Sequence, residues 1–364
     1  MRHEKILRFG GFNMWTETPV FREDLERLAA CSFIPWGELK GKTVLITGAT
    51  GLIGYTLASS LLYYSKVHGA GIQVIALVRD LARAREKFRG QLADQCSLTF
   101  VQGSVENLPE IPGNIDYIVH GASPTASTFF VERPVETIMT TVLGTHNVLE
   151  LARKKQVSGF VYLSSMEVYG APKTDDPIDE NFPTGVDAMS VRSSYPQAKL
   201  LCETLCVSYW EEYAVPAKVV RLAQTFGPGI AAEDNRVFAQ FARAAKEGND
   251  IILKTTGESK RTYLYTADAS SAILTVLLRG ETGQAYNAAN PDTYCSILEM
   301  AHMVAKELAH GKIAVKMQID KNKIFQFSPP HCFHLQVGKL KGLGWTAKVD
   351  LLKIYRRMLG EFRL

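Results

Sequence analysis

One short stretch constrains the fold of this chain more than any other. From Thr43 to Gly54, an apolar, β-branched run meets three glycines, and a helical pattern then continues through Leu61. This order predicts a strand, a tight turn and a helix. Gly48 permits the turn, Gly51 lets backbone approach a pyrophosphate, and Gly54 lets the helix pack closely on the strand. The stretch therefore predicts a dinucleotide site, with a glycine-rich turn that binds no ligand as the alternative.

The composition places the chain among globular proteins. Its 364 residues are 46% apolar, enough for one large α/β unit or two intimate domains. With 41 basic and 37 acidic residues, the net charge of +4 does not indicate a nucleic-acid partner. We expect a soluble, cytoplasmic protein, because no apolar run approaches the roughly 20 residues of a membrane span. Six cysteines without metal-type spacing favour buried thiols: Cys31, Cys96, Cys202, Cys206, Cys295 and Cys332.

Strand and helix patterns alternate along the first half of the chain. The predicted strands after the first are Gln73 to Val78, Leu98 to Gln102, Tyr117 to His120 and Gly159 to Leu163. This alternation predicts an α/β fold with a doubly wound parallel sheet, in which ligands bind at the carboxyl ends of the strands. We predict an N-terminal extension over 1–40, a dinucleotide-binding domain over 41–226 and a substrate-binding region over 227–364. Some segments of the last region are expected to return to the first sheet.

The chemistry is predicted where the strand at Gly159 ends and the next helix begins. Tyr195 and Lys199 are four residues apart, which places them on one helical face. A tyrosine hydroxyl is a poor base at neutral pH, but a nearby ammonium and a cationic nicotinamide both favour the phenolate. Tyr195 could then remove a hydroxyl proton while hydride leaves the same carbon, with Ser165 orienting that hydroxyl. Taken alone, the Tyr195 and Lys199 spacing also fits a solvated helix face.

Several motifs in order resemble the extended short-chain dehydrogenase/reductases that act on nucleotide-sugars. They are Thr47 to Gly54, His120 to Pro124, Ser164 to Gly170, Tyr195 with Lys199, Arg221 to Pro228, Gly257 to Arg261 with Tyr263 to Tyr265, and Leu343 to Trp345. Ser123, Glu167 and Arg192 lie in runs most similar to UDP-glucuronate decarboxylases. The resemblance implies a Rossmann domain with bound NAD(P), a smaller domain gripping a nucleotide diphosphate, and a homodimer formed through helices including that of Tyr195.

The resemblance also implies binding residues. Those for the cofactor are Gly48, Gly51, Leu52, Ile53, Gly54, Arg79, Ala122, Tyr195 and Lys199, and those for the substrate are Ser123, Arg192, Gln224, Arg236 and Arg261. Arg236 and Arg261 are expected on the phosphates, because a guanidinium binds phosphate in a bidentate manner. No metal is expected, since His331 and His334 flank Cys332 without a suitably spaced third ligand.

The nature of the cofactor depends on the residue that ends the second strand. Many NAD enzymes place an acid there to accept from the ribose 2′-hydroxyl, whereas this chain has Arg79, which could pair with a 2′-phosphate. Arg79 therefore favours NADP. The resemblance to decarboxylases favours NAD, and Asp80, one residue further on, could serve as the acid.

Four positions depart from the family pattern. Thr141 and Gln224 stand where asparagine is usual, Ser104 stands where an adenine-binding aspartate is common, and Met166 replaces a serine or aspartate. A 4,6-dehydratase would need an acid beside Glu167 to protonate the departing hydroxyl, and methionine cannot donate that proton. These departures concern sugar and cofactor contacts and leave Tyr195, Lys199 and Ser165 unaffected.

The reaction after oxidation is predicted from Glu167 and the arginines. A ketone at C4 of a hexuronic acid makes its carboxylate that of a β-keto acid, so carbon dioxide is lost readily. Arg192 or Arg261 could neutralise the carboxylate, and Glu167 could manage a proton. We rank UDP-glucuronate decarboxylase first, with a C4 or C5 epimerase or a 4,6-dehydratase as alternatives. A non-catalytic NAD(P)-binding sensor is more remote, because such a protein is expected to lose Tyr195 or Lys199.

Overall fold

The computed structural model describes residues 18–92, 97–125, 127–231, 233–320 and 330–360. Residues 1–17 of the predicted extension, and Cys96, lie outside these ranges. The helices are α1 (Pro19–Ala29), α2 (Leu52–His68), α3 (Leu81–Lys87), α4 (Arg89–Leu92), α5 (Ser127–Glu132), α6 (Pro134–Lys155), α7 (Ser194–Tyr213), α8 (Val237–Glu247), α9 (Thr266–Arg279), α10 (Ile297–Met303), α11 (Gly338–Gly342) and α12 (Leu351–Met358). Short 3-10 turns cover Trp36–Leu39, Met166–Tyr169 and Val191–Ser193, and a π-helical turn covers Val304–Leu308.

Most of the strands belong to one of two larger sheets. They are β1 (Thr43–Thr47), β2 (Gln73–Val78), β3 (Leu98–Gln102), β4 (Tyr117–His120), β5 (Gly159–Ser165), β6 (Ala217–Leu222), β7 (Gln224–Phe226), β8 (Ile251–Leu253), β9 (Lys260–Tyr265), β10 (Ala285–Ala288), β11 (Asn290–Ser296), β12 (Val315–Met317) and β13 (Cys332–Phe333). The four strands predicted after β1 are confirmed, with β5 two residues longer than expected.

The first sheet has seven parallel strands in the order β10-β6-β5-β4-β1-β2-β3. The order reverses beside β1, as expected for a doubly wound sheet. In the register, Thr47 lies beside His120, and Ser165 lies beside Leu222. The carboxyl ends of β1, β4, β5 and β6 therefore meet along one edge. The α/β fold class is confirmed.

The second sheet contains β11, β9 and β13, with β7 paired to β9. The predicted boundary at 226/227 does not coincide with the division between the sheets. Gln224–Phe226, expected in the first domain, pairs with β9, while Ala285–Ala288 returns to the first sheet beside β6. The return was expected for some segment, but no local pattern distinguishes a strand that joins one sheet from a strand that joins the other.

The first sheet is covered on both faces. Val44 and Ile46 pack in one cluster with residues of α2 and α9, whereas Leu45 packs in another with residues of α6 and α7. Successive residues of a strand point to opposite faces, so a strand buried on both sides reads as a continuous apolar run. Among the described residues, none of the helices combines the length and apolar character that crossing a membrane requires.

Helix α1 is tied into this core through a group of buried charges. Arg357 of α12 donates a 2.9 Å hydrogen bond to Asp24 of α1 and a 2.9 Å hydrogen bond to the Tyr265 hydroxyl, which donates to Asp24. Arg27 pairs with Asp268 at 2.8 Å. We call these five residues the Asp24 cluster. Its contacts make the described part of the predicted N-terminal extension an integral part of the fold.

Candidate active site

Two glycines of the turn after β1, Gly48 and Gly54, leave no room for a side chain. Gly48 has φ +72°, and a Cβ there would lie 2.9 Å from the carbonyl carbon of Gly121. A Cβ on Gly54 would lie 2.3 Å from the carbonyl oxygen of Gly48. The first position needs glycine for its backbone angle, and both need it for the close approach. The turn therefore brings β1, the loop after β4 and the start of α2 together.

Helix α2 begins at this turn without a side-chain cap. Gly51 is the N-cap residue, and no described side chain accepts from the first amides, which include those of Leu52 and Ile53. A Cβ on Gly51 would meet only the carbonyl oxygen of Gly48 within 4 Å. Uncapped amides at the start of a long helix suit a pyrophosphate. This part of the turn fits the dinucleotide that the sequence predicts.

A chain of buried polar side chains supports the same edge. The Thr47 hydroxyl accepts from the Ala122 amide at 3.1 Å and lies 2.7 Å from Nδ1 of His120. The other ring nitrogen of His120 lies 3.1 Å from the Thr145 hydroxyl. Burial, reinforced by the charge of Lys199, lowers the pKa of His120 to about 3. His120 is therefore neutral and holds the loop rather than exchanging protons at neutral pH.

Tyr195 and Lys199 lie in the first two turns of α7, both buried. The Lys199 ammonium donates a 2.7 Å hydrogen bond to the carbonyl of Leu163 in β5. It also lies 4.7 Å from the ring centre of Tyr162 and 5.6 Å from that of Tyr195. Burial lowers the pKa of Lys199 to about 8. Since the hydrogen bond to Leu163 uses one of three N–H donors, the ammonium has further donors for a ribose or a phenolate.

The spacing of Tyr195 and Lys199 predicts that the phenolate form of Tyr195 is favoured, but the environment of Tyr195 in the structure opposes that form. Burial raises the pKa of the Tyr195 hydroxyl well above its ordinary value, and the Glu167 carboxylate adds to this effect. A hydrogen bond from Ser165 and the charges of Arg192 and Arg236 oppose it. The protein alone therefore keeps Tyr195 protonated at neutral pH, and lowering its pKa requires a further positive charge beside the ring.

Glu167 and Arg192, both proposed from sequence, contact each other beside Tyr195. Their side chains form an ion pair, with Nη2 of Arg192 2.9 Å from Oε2 of Glu167. The Ser165 hydroxyl accepts from the Glu167 amide at 3.2 Å, which starts the 3-10 turn after β5. Both charged side chains remain partly exposed, so a ligand can reach them.

Phe130 of α5 completes this group and was missed by the sequence analysis. Its ring stacks on that of Tyr195, with centroids 4.2 Å apart and planes 7° apart. The Arg192 guanidinium lies 5.1 Å from the centre of the same ring, and Phe130 is 1% exposed. The Phe130 ring thus contacts both Tyr195, the proposed base, and Arg192, the residue proposed to bind the sugar carboxylate. No local pattern marked it, because one aromatic residue in a short helix is ordinary core composition.

The remaining predicted substrate residues form two groups. Arg236 pairs with Asp234, with Nη2 2.6 Å from Oδ2. Arg261 donates to the side-chain oxygen of Gln224 at 3.1 Å and lies 3.0 Å from a ring nitrogen of His331. The Nε atom of Arg261 is buried and has no hydrogen-bond partner among the described residues. A buried guanidinium nitrogen without an acceptor suits an anionic ligand.

Two other predicted positions lie at the same sheet edge. Ser123 follows β4, and its hydroxyl lies 3.2 Å from that of Thr141. Arg79 directly follows β2 and is exposed, and the adjacent Asp80 accepts from the Arg83 amide at 2.9 Å as the N-cap of α3. In the described ranges, no group of three His, Cys, Asp or Glu side chains could hold a metal ion.

Residues 44–289 match the NAD dependent epimerase/dehydratase family. The chain belongs to this family. A curated member, UDP-glucuronic acid decarboxylase 3 of Arabidopsis thaliana, is 29% identical over 340 residues, covering 88% of this chain and 89% of the relative. Human dTDP-D-glucose 4,6-dehydratase is 27% identical over 348 residues, covering 92% and 94%.

Solved structures of the family share the fold. A variant of UDP-glucuronic acid 4-epimerase from Bacillus cereus, in complex with UDP-4-deoxy-4-fluoro-glucuronic acid and NAD, superimposes with a TM-score of 0.74. Its sequence is 19% identical, and the match covers 88% of this chain and 98% of that one. Family relatives thus include decarboxylases, dehydratases and epimerases, which share the epimerase/dehydratase fold and differ in the reaction that each is named for.

Proposed function

We propose that this family member modifies a nucleotide-sugar by transient oxidation at C4 with bound NAD(P), and that it decarboxylates UDP-glucuronate. The observation that carries the choice of reaction is the ion pair of Glu167 and Arg192 beside the buried Tyr195. Arg192 supplies a cation for a sugar carboxylate, and Glu167 supplies an acid–base group. The curated relatives named UDP-glucuronic acid decarboxylase support the same assignment.

The oxidation step belongs to Tyr195, Lys199 and Ser165. The nicotinamide, when bound, accepts a hydride from C4 and later returns it. Tyr195 removes the proton of the C4 hydroxyl, and Ser165 holds that hydroxyl toward it. Lys199, anchored by the Leu163 carbonyl, donates to the ribose and supplies positive charge near the phenol. The uncapped amides of α2 and the exposed Arg79 fit the phosphates of the same cofactor.

The second step belongs to Glu167 and Arg192. With a ketone at C4, the bond between C5 and the carboxylate breaks, and its electron pair moves into the C4–C5 enolate as carbon dioxide leaves. Arg192 holds the substrate carboxylate before that bond breaks, which releases Glu167 from the ion pair, and Glu167, which is partly exposed, then takes a proton from solvent and passes it to C5. Met166 is buried and donates no proton, which disfavours loss of a C6 hydroxyl as water. Arg236 and Arg261 bind the nucleotide diphosphate in this proposal.

The reaction is tested by incubating the protein and NAD(P) with UDP-, dTDP-, GDP- and CDP-sugars and reading products by mass and NMR. UDP-glucuronate should lose about 44 mass units as carbon dioxide, while UDP-glucose should keep its mass. Loss of water from a hexose would identify a 4,6-dehydratase instead. An isomer of unchanged mass would identify a C4 or C5 epimerase, and binding without turnover would identify a sensor.

Glu167→Gln should slow product formation by about 10²-fold while leaving nucleotide binding nearly unchanged. The amide keeps the shape of the side chain but can neither carry the proton nor balance the charge of Arg192. Rates with UDP-glucuronate and affinity for UDP, measured by calorimetry, separate the two effects. The matched control is Glu136→Gln, an exposed acid on α6. A Glu167→Gln rate within a factor of three of wild type would remove Glu167 from the mechanism.

We propose NADP as the preferred cofactor, on the position of Arg79. Arg79 is exposed beyond β2, and Asp80 already caps α3, so the chain offers a cation rather than an uncommitted acid to the ribose. NADP should bind about tenfold more tightly than NAD, and Arg79→Ala should remove that difference. Titration of both cofactors, followed by intrinsic fluorescence, measures the two affinities. The control is Arg85→Ala in α3, the helix that follows Arg79. Tighter NAD binding that Arg79→Ala leaves unchanged would contradict the proposal.

We propose a homodimer formed through α6 and α7. Val135, Met139 and Leu143 recur every four residues on α6, and each is more than two-fifths exposed. A contiguous apolar stripe of this kind indicates a protein contact. Met139→Glu/Leu143→Glu should convert the dimer to a monomer in sedimentation velocity, whereas Val67→Glu at the end of α2 should not. A wild-type monomer at micromolar concentration would refute the dimer.

The location of the protein and its domain limits also remain proposals. The described cysteines are free thiols, which is consistent with the reducing cytoplasm where we place the protein. The division into 41–226 for the cofactor and 227–364 mainly for the substrate is supported by the position of the glycine turn in the first part and of Arg236 and Arg261 in the second.

A further inference from the structure

A second ion pair at the site, less exposed than that of Glu167 and Arg192, joins Glu203 of α7 to Arg221 of β6. Glu203 is one helical turn beyond Lys199 on α7 and is 8% exposed. Its carboxylate accepts from the Ser164 hydroxyl of β5 at 2.5 Å. It also binds Arg221 of β6 in a bidentate manner, with Nη2–Oε2 at 2.7 Å and Nε–Oε1 at 3.1 Å. The helix that carries Tyr195 is therefore joined to both neighbouring strands by one carboxylate.

The arginine of this pair continues into the segments that surround the site. Nη1 of Arg221 donates to the Tyr169 hydroxyl at 3.0 Å and to the Glu180 carbonyl at 2.8 Å. Tyr169 in turn donates to the side chain of Asn287 at 2.7 Å. Tyr169 ends the 3-10 turn that contains Glu167, and Glu180 belongs to the segment that leads to Arg192. The pair thus contacts the helix that carries Tyr195 and Lys199, the strand that ends at Ser165 and the turn that contains Glu167.

The charge of Glu203 also acts on Lys199. Around the ammonium, α7 presents Cys202, Glu203, Cys206 and Tyr195, β5 presents Tyr162, and β4 presents the neutral His120. Burial lowers the pKa of Lys199, and Cys202, Glu203 and Cys206 oppose the decrease; Glu203 is the carboxylate among these three. Lys199 is mostly charged only below its pKa of about 8, so a further decrease of that pKa would reduce its charged fraction close to neutral pH.

We propose that Glu203 and Arg221 are a positioning pair, which holds the Lys199 ammonium, and through it Tyr195, against the end of β5. The inference rests on the proposed role of Tyr195 and Lys199 but goes beyond it. The hydrogen bonds of Glu203 join α7 to β5 and β6, and those of Arg221 reach the turn after β5, so both act through these elements. An ion pair buried at this depth is often neutral for stability compared with apolar residues, so its placement here favours a role in geometry and charge.

The test is Glu203→Gln, followed as pH profiles of kcat and of NAD(P) affinity. Loss of the carboxylate lowers the pKa of Lys199, so the ammonium is lost at lower pH. The alkaline limbs of both profiles should move down by about one pH unit, and kcat at pH 8 should fall about fivefold with KM little changed. Glu211→Gln, the same charge change at an exposed position of α7, is the matched control and should leave both profiles unchanged.

Three outcomes decide the proposal. Unmoved alkaline limbs in Glu203→Gln, whatever the loss of rate, would show a merely structural residue and overturn it. If Glu203→Gln fails to fold, Glu203→Met/Arg221→Met removes both charges; a smaller shift in the same direction supports the proposal, and a wild-type profile overturns it. The profile of cofactor affinity needs no turnover, so the pair is tested even if no nucleotide-sugar is converted and the proposed function fails.

Discussion

Tyr195→Phe should reduce turnover roughly 10³-fold while NAD(P) affinity changes by less than about twofold. The phenylalanine ring keeps the stack on Phe130 and the packing of α7, so the fold and the cofactor site are preserved. What is lost is the hydroxyl that takes the proton from C4. Burial raises the pKa of this hydroxyl, so little of Tyr195 is in the phenolate form until the cofactor is bound. Stopped-flow absorbance near 340 nm and product mass measure the two steps.

The controls for this variant separate chemistry from packing. Tyr213→Phe removes the hydroxyl of an exposed tyrosine on the same helix and should leave the rate unchanged. Lys199→Met should lose both rate and cofactor affinity, because the ammonium serves the ribose as well as the phenol. A Tyr195→Phe enzyme that retained most of its activity would show that the oxidation mechanism is wrong.

Arg357→Met should reduce the free energy of unfolding by about 3–5 kcal/mol, the cost of leaving a buried charge without its partner. Arg357 is 1% exposed and holds Asp24, Tyr265 and the Val20 carbonyl. Methionine fills most of the volume but donates nothing to the Asp24 carboxylate. Urea unfolding followed by tryptophan fluorescence, at pH 7, measures the change.

Two further variants define the cause of this loss. Arg356→Met, the neighbouring and less buried arginine of α12, should change stability by less than about 1 kcal/mol. Asp24→Leu/Tyr265→Phe/Arg357→Met removes the three polar groups that bond to one another, leaves the pair of Arg27 with Asp268, and should recover at least half of the loss. A single-variant effect below about 1 kcal/mol would mean that water reaches the Asp24 cluster.

The sequence was informative wherever the signal was local. Three glycines after a β-branched run predict the turn, and spacing by four residues predicts that Tyr195 and Lys199 share a face of α7. The parallel-sheet rule then locates Ser165 at the same edge as the glycine turn, because it depends only on strand direction. These features rest on geometry within a few residues of each other, and the structure reproduces that geometry.

The parts that escaped prediction depend on tertiary contacts. Glu167 and Arg192 were each proposed, yet nothing in the sequence predicts that they form an ion pair, since they lie 25 positions apart. Glu203 carried a usable signal, because it lies four residues after Lys199 on the same helical face. Arg221 did not, because a single arginine in a strand has no preferred partner until the neighbouring helix is in place.

The Asp24 cluster has a consequence for how the chain is made. Asp24 leaves the ribosome long before Arg357, which lies 333 residues later. The early strands of the parallel sheet can pair during synthesis, but until α12 has emerged Asp24 has the 3.5 Å ion pair with Arg27 of its own helix and lacks Arg357. Closing so long a loop is slow and costs conformational entropy, and the stabilising contacts form only after the loop has closed. The contacts of Arg357 with Asp24 and Val20 can therefore form only after α12 has been synthesised, so docking of α1 is completed late.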